Sequence, residues 1–495
     1  MLKIFELLKE DSLALFSRKK EPEPDLYTYH FQDSRGYLRR LHLRIESDRQ
    51  GVLFVDVTDA IQLNPTAVRI AYWALEGVSE NAALKRVRAE FGGNRRAQED
   101  VAGIYHLIRH ITREDGCPTC GSDFLERKAL FSTRARAPYK ADIALTYGCN
   151  NACSHCYNAV THIEMASLAV EDWEKVFTIL KQKGVPHIIF TGGEATLHPD
   201  LPELVAFVNQ QGQIAGMNSN GRRFSQNSFV ATMRQAGLNH LQITLASHIA
   251  RIHDEINGVS AFSQTVKGIE NALAGGIHTI TNTTIMQKNK DHVEEIIDFL
   301  YALGIRTFAM NGMIYSGGGY CDPNAIPEEE LPPILIRIRD RALEHRMKFL
   351  WYTPTEYCRM NPVELEIGAK RCNAAEYSIC IEPNGDVLPC QSFYVSAGNI
   401  LKDSWEKIWN GELFRSFRDR ESDPRWAGLP EKCWECPDLP LCGGGCRIER
   451  EARDGAVVHH EGARESSVPA RPSFIPIEQI QHIGKRAAGR GAGTR

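Results

Sequence analysis

Cys149, Cys153 and Cys156 stand at C-x3-C-x2-C spacing in the run Thr146-Tyr147-Gly148-Cys149-Asn150-Asn151-Ala152-Cys153-Ser154-His155-Cys156-Tyr157. Three thiolates so placed can hold three irons of a four-iron cluster and leave the fourth iron open. A small molecule can coordinate an open iron while the cluster supplies it with an electron. A zinc knuckle is the plainer alternative, but three cysteines leave a structural zinc one ligand short. His155 and His162 flank the set, and His155 reads as a spacer because the thiols already fill the ligand role.

Two further motifs have the residue types to work beside such a centre. Thr191-Gly192-Gly193-Glu194-Ala195 offers two glycines for close backbone approach and a carboxylate that can accept from an ammonium group. Asn218-Ser219-Asn220-Gly221 supplies short polar groups, which would equally suit a capped turn. Thr244, Ser247, Asn282 and Asn311 are single polar residues that face either a ligand or their own loops.

The elements that must position these groups are legible from about 138 to 356. Apolar runs at 142–146, 187–191, 216–219, 241–245, 280–284 and 308–311 alternate with helical periods. Strands repeatedly separated by a helix make a parallel βα array, and six units predict an α/β partial (βα)6 barrel. Loops at the carboxyl ends of its strands would build the site, and the first cysteine set falls just after the first strand.

Upstream, residues 26–115 read as a β-then-α unit. Short strands are expected at 27–31, 41–45 and 52–55, followed by helices from Asn64-Pro65-Thr66 to Leu75, at 81–91 and at 98–111. A linker, 116–137, carries Cys117-Pro118-Thr119-Cys120, which could donate a ligand, form half a metal site or act as a redox pair. Residues 357–450 are loop-rich and hold a second field of cysteines, while 464–495 reads as a disordered tail. Cys321 and Cys358 have no partners nearby in sequence and are expected to be free buried thiols.

Composition narrows the function classes. The 495 residues are 43% hydrophobic and 24% charged with a net charge of −4, ordinary for a globular protein and no match for nucleic acid. No run of about 18 apolar residues is present to span a membrane. Met1-Leu2-Lys3-Ile4-Phe5 leads into Lys9, Glu10 and Asp11, unlike a signal peptide. A cytoplasmic location is therefore expected, and fourteen cysteines there point to metal rather than disulfides.

The cysteine triad followed by an aromatic, with a G-G-E one strand later, resembles the radical S-adenosylmethionine (SAM) superfamily. That resemblance implies a SAM-binding 4Fe-4S cluster on Cys149, Cys153 and Cys156, reductive cleavage of SAM, and hydrogen abstraction by a 5′-deoxyadenosyl radical. It implies SAM contacts from Gly192, Gly193 and Glu194 to the amino group, from Asn218, Ser219 and Asn220 to ribose and carboxylate, and from Tyr157 near adenine. Ala195 replaces the usual proline. The second field, C-x12-G-x4-C at Cys372 and Cys390 and C-x2-C-x5-C-x3-C at Cys433, Cys436, Cys442 and Cys446, resembles the SPASM extension with its auxiliary iron–sulfur clusters. A zinc ribbon is its alternative. By resemblance Cys372, Cys390 and Cys446, with Cys380 as fourth, hold one auxiliary cluster, and Cys433, Cys436 and Cys442 a second. The SPASM pattern ends in a further cysteine, and none follows Cys446. The second cluster then has an unusual ligand, has an open iron, or is absent.

The segment from Ile61 through Gly77 resembles the winged-helix-like peptide chaperones fused to radical maturases of ribosomal peptides. Such domains add an extended peptide as a strand to a sheet edge. The alternatives are a structural or a DNA-binding winged helix, and acidic residues interrupt the basic set Lys85, Arg86, Arg88, Arg95 and Arg96. Taken together, the chain is similar to the radical enzymes of pyrroloquinoline quinone biosynthesis. The implied activity is an oxidoreductase-type crosslinking or oxidation of a peptide bound at the N-terminal domain, with a flavodoxin- or ferredoxin-like electron donor. The rivals are a maturase of a partner enzyme or of a tetrapyrrole or pterin precursor, and a non-catalytic iron–sulfur regulator on DNA.

Overall fold

A computed structural model describes residues 22–32, 38–56, 59–92, 95–113, 131, 134–158 and 165–454. The expectations for Cys117, Cys120, His162 and the tail fall outside these residues. The chain divides into two compact units, Met1–Glu126 and Arg127–Arg495.

The first unit is an antiparallel sheet of four strands in sequential order, β1 (Leu26–Gln32), β2 (Leu38–Ile45), β3 (Gly51–Val55) and β4 (Asp59–Leu63). Three helices follow, α1 (Pro65–Leu75), α2 (Glu80–Phe91) and α3 (Arg95–Arg113). Asn64 starts α1 because its side chain accepts from the Ala67 amide at 2.9 Å, and Pro65 fits the first helical position. Leu41, Leu43, Leu53 and Val55 form one core with Val68 and Ile70 of α1 and Leu107 and Ile111 of α3. β4 is an addition to the three strands expected from the sequence.

In the second unit, strands and helices alternate as expected: β5 (Lys140–Thr146), α4 (Val170–Gln182), β6 (His187–Gly192), α5 (Leu201–Gln210), β7 (Ile214–Ser219), α6 (Asn227–Ala236) and β8 (His240–Thr244). They continue through α7 (Ala250–Asn257), α8 (Phe262–Ala274), β9 (His278–Thr284), α9 (Val293–Ala302), β10 (Thr307–Asn311), α10 (Pro332–Glu344) and β11 (Lys348–Trp351). Neighbouring strands from β5 to β11 are parallel and sequential, as right-handed βα units require. Ile143, Ile188, Phe190, Met217, Leu241 and Phe308 on the strands join Trp173, Phe177, Leu204 and Ile296 on the helices in one continuous core.

The cysteine-rich region is sewn into this sheet. β12 (Ser378–Ile381) runs parallel to β5, with Cys380 opposite Asp142, and β13 (Val387–Leu388) pairs antiparallel to β12. The sheet therefore has nine strands in the order β11-β10-β9-β8-β7-β6-β5-β12-β13. Among the described residues no helix is long and apolar enough to cross a membrane.

Candidate active site

The first cysteine loop leaves the carboxyl end of β5 and is held from three sides. From β6, the Gly193 amide donates to the Thr146 carbonyl at 2.7 Å and the Glu194 amide to the Gly148 carbonyl at 2.9 Å. A Cβ on Gly193 would sit 2.4 Å from the Gly148 oxygen, and Gly192 has φ +120° with the Thr146 oxygen 2.2 Å from where its Cβ would be. The glycine pair is thus required by backbone packing against the cysteine loop itself. From α7, the Asn257 carbonyl accepts from the Ala152 amide, and the Asn257 side-chain oxygen accepts from the Asn151 amide group at 3.3 Å and the Cys153 thiol at 3.2 Å. From the segment after β7, Asn220 Nδ2 donates to Asn150 Oδ1 at 2.6 Å, and the Arg222 guanidinium donates to the Asn150 carbonyl and to Asn151 Oδ1.

Glu194 is the keystone of that rim. Its buried carboxylate accepts from the Thr196 amide (3.1 Å), the Thr196 hydroxyl (2.7 Å), the Ser219 hydroxyl (2.9 Å) and the Asn220 amide (2.8 Å). Four donors on one carboxylate fix the ends of β6 and β7 relative to each other. Ser219 is buried, while Asn218 and Asn220 are half-buried at the same end. Tyr157 follows Cys156, and its carbonyl accepts from the Tyr394 hydroxyl at 3.3 Å. Burial raises the Tyr157 phenol well above its usual range, and the Cys156 thiolate adds to this.

The three thiols face one another electrostatically. Burial pushes Cys149 up to about 11, with the charges of Glu194 and Cys156 adding to it, and pushes Cys153 up to about 12, with the charges of Cys156 and Cys149 adding to it. Without a cation these two sulfurs therefore hold their protons, and iron would have to displace those protons on binding. Burial lowers His155 to about 4, so it is neutral and no partner in charge to the thiols. Among the described residues no three His, Cys, Asp or Glu side chains gather closely enough to hold a single metal ion. A four-iron cluster takes its cysteines on separate irons, a wider arrangement than one zinc requires, and the all-thiol donor set suits iron–sulfur.

The second field sorts into two groups. Cys390 feels the charge of Cys372, and Cys446 that of both; all three pack against the main core. Cys380, buried on β12, feels Cys390 and lies in a small cluster with Ala144, Tyr147 and Leu388. Cys433 and Cys436 pack with Leu429 and Leu439, and Cys433 feels Cys442. Cys358 differs from expectation: it is exposed rather than buried. Asn282 and Asn311 bond to each other at 2.8 Å, Ser247 caps its own loop at Ile249, and Thr244 is half-buried.

Residues 143–300 match the family described as the radical SAM superfamily, and 372–437 match the SPASM iron-sulfur cluster-binding domain. The chain carries a radical SAM domain and a SPASM domain. Among the relatives of this radical SAM/SPASM chain is a PqqA peptide cyclase of Xanthomonas campestris pv. campestris, 28% identical over 375 residues that cover 68% of this chain and 93% of the relative. An AdoMet-dependent heme synthase of Oleidesulfovibrio alaskensis is 26% identical over 336 residues, covering 64% and 84%. Streptococcus suis SuiB bound to its precursor peptide SuiA shares the fold with TM-score 0.61 at 16% identity, over 86% of this chain and 96% of that one.

Asn150, Asn257, Thr196, Arg222 and Tyr394 are rim residues that sequence reasoning missed. Asn150, a polar residue inside the cysteine motif, and Thr196, two residues from Glu194, carried a local signal; Asn257, Arg222 and Tyr394 acquire meaning only through contacts more than 70 residues away.

Proposed function

We propose that this chain reductively cleaves SAM and crosslinks or oxidises a ribosomally made peptide. When bound, the cluster and SAM supply an electron and a carbon radical able to remove hydrogen from an unactivated carbon. Cys149, Cys153 and Cys156 would hold the cluster. The observation that carries this reading is their loop, locked to the G-G-E turn and to Asn220 at the carboxyl ends of a parallel sheet. Gly192 and Gly193 would present backbone to SAM, with Asn218, Ser219 and Asn220 at ribose and carboxylate and Tyr157 beside adenine. Glu194 would act chiefly by holding those groups in place. Cys372, Cys380, Cys390 and Cys446 would bind one auxiliary cluster, and Cys433, Cys436 and Cys442 belong to a second.

A peptide substrate is supported by the likeness to a PqqA peptide cyclase and to SuiB with its precursor peptide. The four-stranded N-terminal unit would receive the peptide, a flavodoxin- or ferredoxin-like protein would deliver electrons, and the reaction would run in the cytoplasm. The likeness to a heme synthase gives the second reading, a tetrapyrrole precursor. The test is anaerobic turnover of the full chain with SAM, a reductant and each short peptide encoded beside the gene. Formation of 5′-deoxyadenosine with a peptide lighter by the hydrogens removed supports the proposal. 5′-Deoxyadenosine with every peptide unchanged, and a porphyrin precursor consumed, selects the second reading. No 5′-deoxyadenosine at all removes both.

A further inference from the structure

Cys433, Cys436 and Cys442 are one thiolate short of a fully ligated cluster, and no cysteine stands between Cys446 and Arg495. Cys446 packs against the main core, as Cys372 and Cys390 do, whereas Cys433 and Cys436 belong to a separate small cluster, and Cys446 is assigned to the first set. The chain segment that covers the three-cysteine loop comes from upstream, just after β11. The Tyr357 amide donates to the Cys442 sulfur at 3.4 Å, and the Thr355 carbonyl lies 3.6 Å from the same sulfur. Gly445 is pressed onto this segment so closely that a Cβ would meet the Glu356 nitrogen at 2.9 Å. On the other side of the loop Lys432, next to Cys433, holds the Glu356 carboxylate at 3.2 Å. Both ends of the loop are thus pinned to residues 355–357, and the next residue is Cys358.

Standard backbone lengths then keep the Cys358 Cα within about 9 Å of the Cys442 sulfur. Cys358 is exposed, so its thiol is not committed to the core. An exposed thiol beside three others is a costly feature for a protein to leave unliganded, since it invites oxidation.

We propose that Cys358 is the fourth ligand of the second auxiliary cluster, closing the set formed by Cys433, Cys436 and Cys442. This ligand stands upstream of residues 372–437, which match the SPASM domain. The proposal rests on the reading of these cysteines as an iron–sulfur site, and the experiment separates the two. The full chain, anaerobically loaded with iron and sulfide or stripped of both, is treated with iodoacetamide, and each cysteine is quantified by peptide mass spectrometry. The expected result is modification of Cys358 in the stripped chain and its protection, together with Cys433, Cys436 and Cys442, in the loaded chain. Equal modification of Cys358 in both states, with the other three protected, overturns the proposal and leaves a non-cysteine ligand or an open iron. Modification of all four in the loaded chain overturns the cluster reading with it.

The variants give a second readout. Cys358→Ala, folded by circular dichroism, is expected to lose the iron and the reduced-state paramagnetic resonance signal of one cluster while the signal of the SAM-binding cluster persists. Cys358→Ser is expected to restore the iron with shifted g-values, because an alkoxide replaces a thiolate. Wild-type iron content and spectra in both variants refute the assignment.

Discussion

Replacing Glu194 with glutamine separates a brace from a ligand contact. The carboxylate is buried and accepts four hydrogen bonds, three at Oε1 and one, from the Asn220 amide, at Oε2. The better orientation of a glutamine keeps its carbonyl oxygen on the three donors and turns its NH2 toward the Asn220 N–H. One charge-assisted bond is then lost to a donor facing a donor, and the other three become neutral. At about 1.5–3 kcal/mol for a hydrogen bond to a charged group, the total is about 2–4 kcal/mol. For a unit the size of Arg127–Arg495 this lowers the unfolding midpoint by about 3–5 °C. The assay is thermal unfolding of the full chain without SAM, followed by calorimetric titration with SAM. A lower midpoint together with weaker SAM binding is the expected pair. A wild-type midpoint with SAM binding abolished would refute the brace and make Glu194 a ligand contact only.

Gly193→Ala puts a methyl group against the Gly148 and Tyr147 carbonyls; we expect iron loss equal to one cluster and no 5′-deoxyadenosine, and retention of all iron would refute it. Glu376 is 3% exposed between Arg371 and Arg420, each 3.0 Å away, so Glu376→Ala removes the carboxylate paired with buried Arg420 and one of the two carboxylates paired with buried Arg371, the other being Glu421, and should cost about 3–5 kcal/mol in denaturant unfolding; a loss under about 1 kcal/mol contradicts the network. Burial lowers His240 to about 3, with the charges of His278 and Lys140 adding to it. Its folded value lies below its unfolded value near 6.5, so its contribution is complete above pH 6.5 and is lost as pH falls toward 3. His240→Gln should therefore flatten the stability profile between about pH 6.5 and 3, and parallel profiles for the two proteins would sink that assignment.

Six strands of the parallel sheet were legible because runs such as His187-Ile188-Ile189-Phe190-Thr191 are apolar, bounded by turn residues and spaced by helical periods. The first cysteine set was legible because its spacing lies within eight residues. β4 was less so, since Asp59-Ala60-Ile61-Gln62-Leu63 is short and runs directly into the Asn64 cap of α1. β12 and β13 had no local signal: Ser378-Ile379-Cys380-Ile381 is buried throughout and its partner β5 lies more than 200 residues upstream. The work of Glu194 was hidden for the same reason, because Ser219 and Asn220 meet it only through the β6–β7 pairing. The exposure of Cys358, and the closeness of its neighbours to Cys442, are likewise products of the fold.

The pairing of β12 with β5 has a consequence for how this enzyme could be cut or recombined. Strand β5 leads to Cys149, and its hydrogen-bonded neighbour β12 carries Cys380. A chain ending after residue 356 would strip β5 of that neighbour and leave a row of unpaired amides and carbonyls along an apolar strand, a template for aggregation rather than a smaller enzyme. The C-terminal region is thus no detachable cassette. Exchanging it between relatives would have to respect the register Ser378 to Lys140 through Ile381 to Ile143, residue for residue.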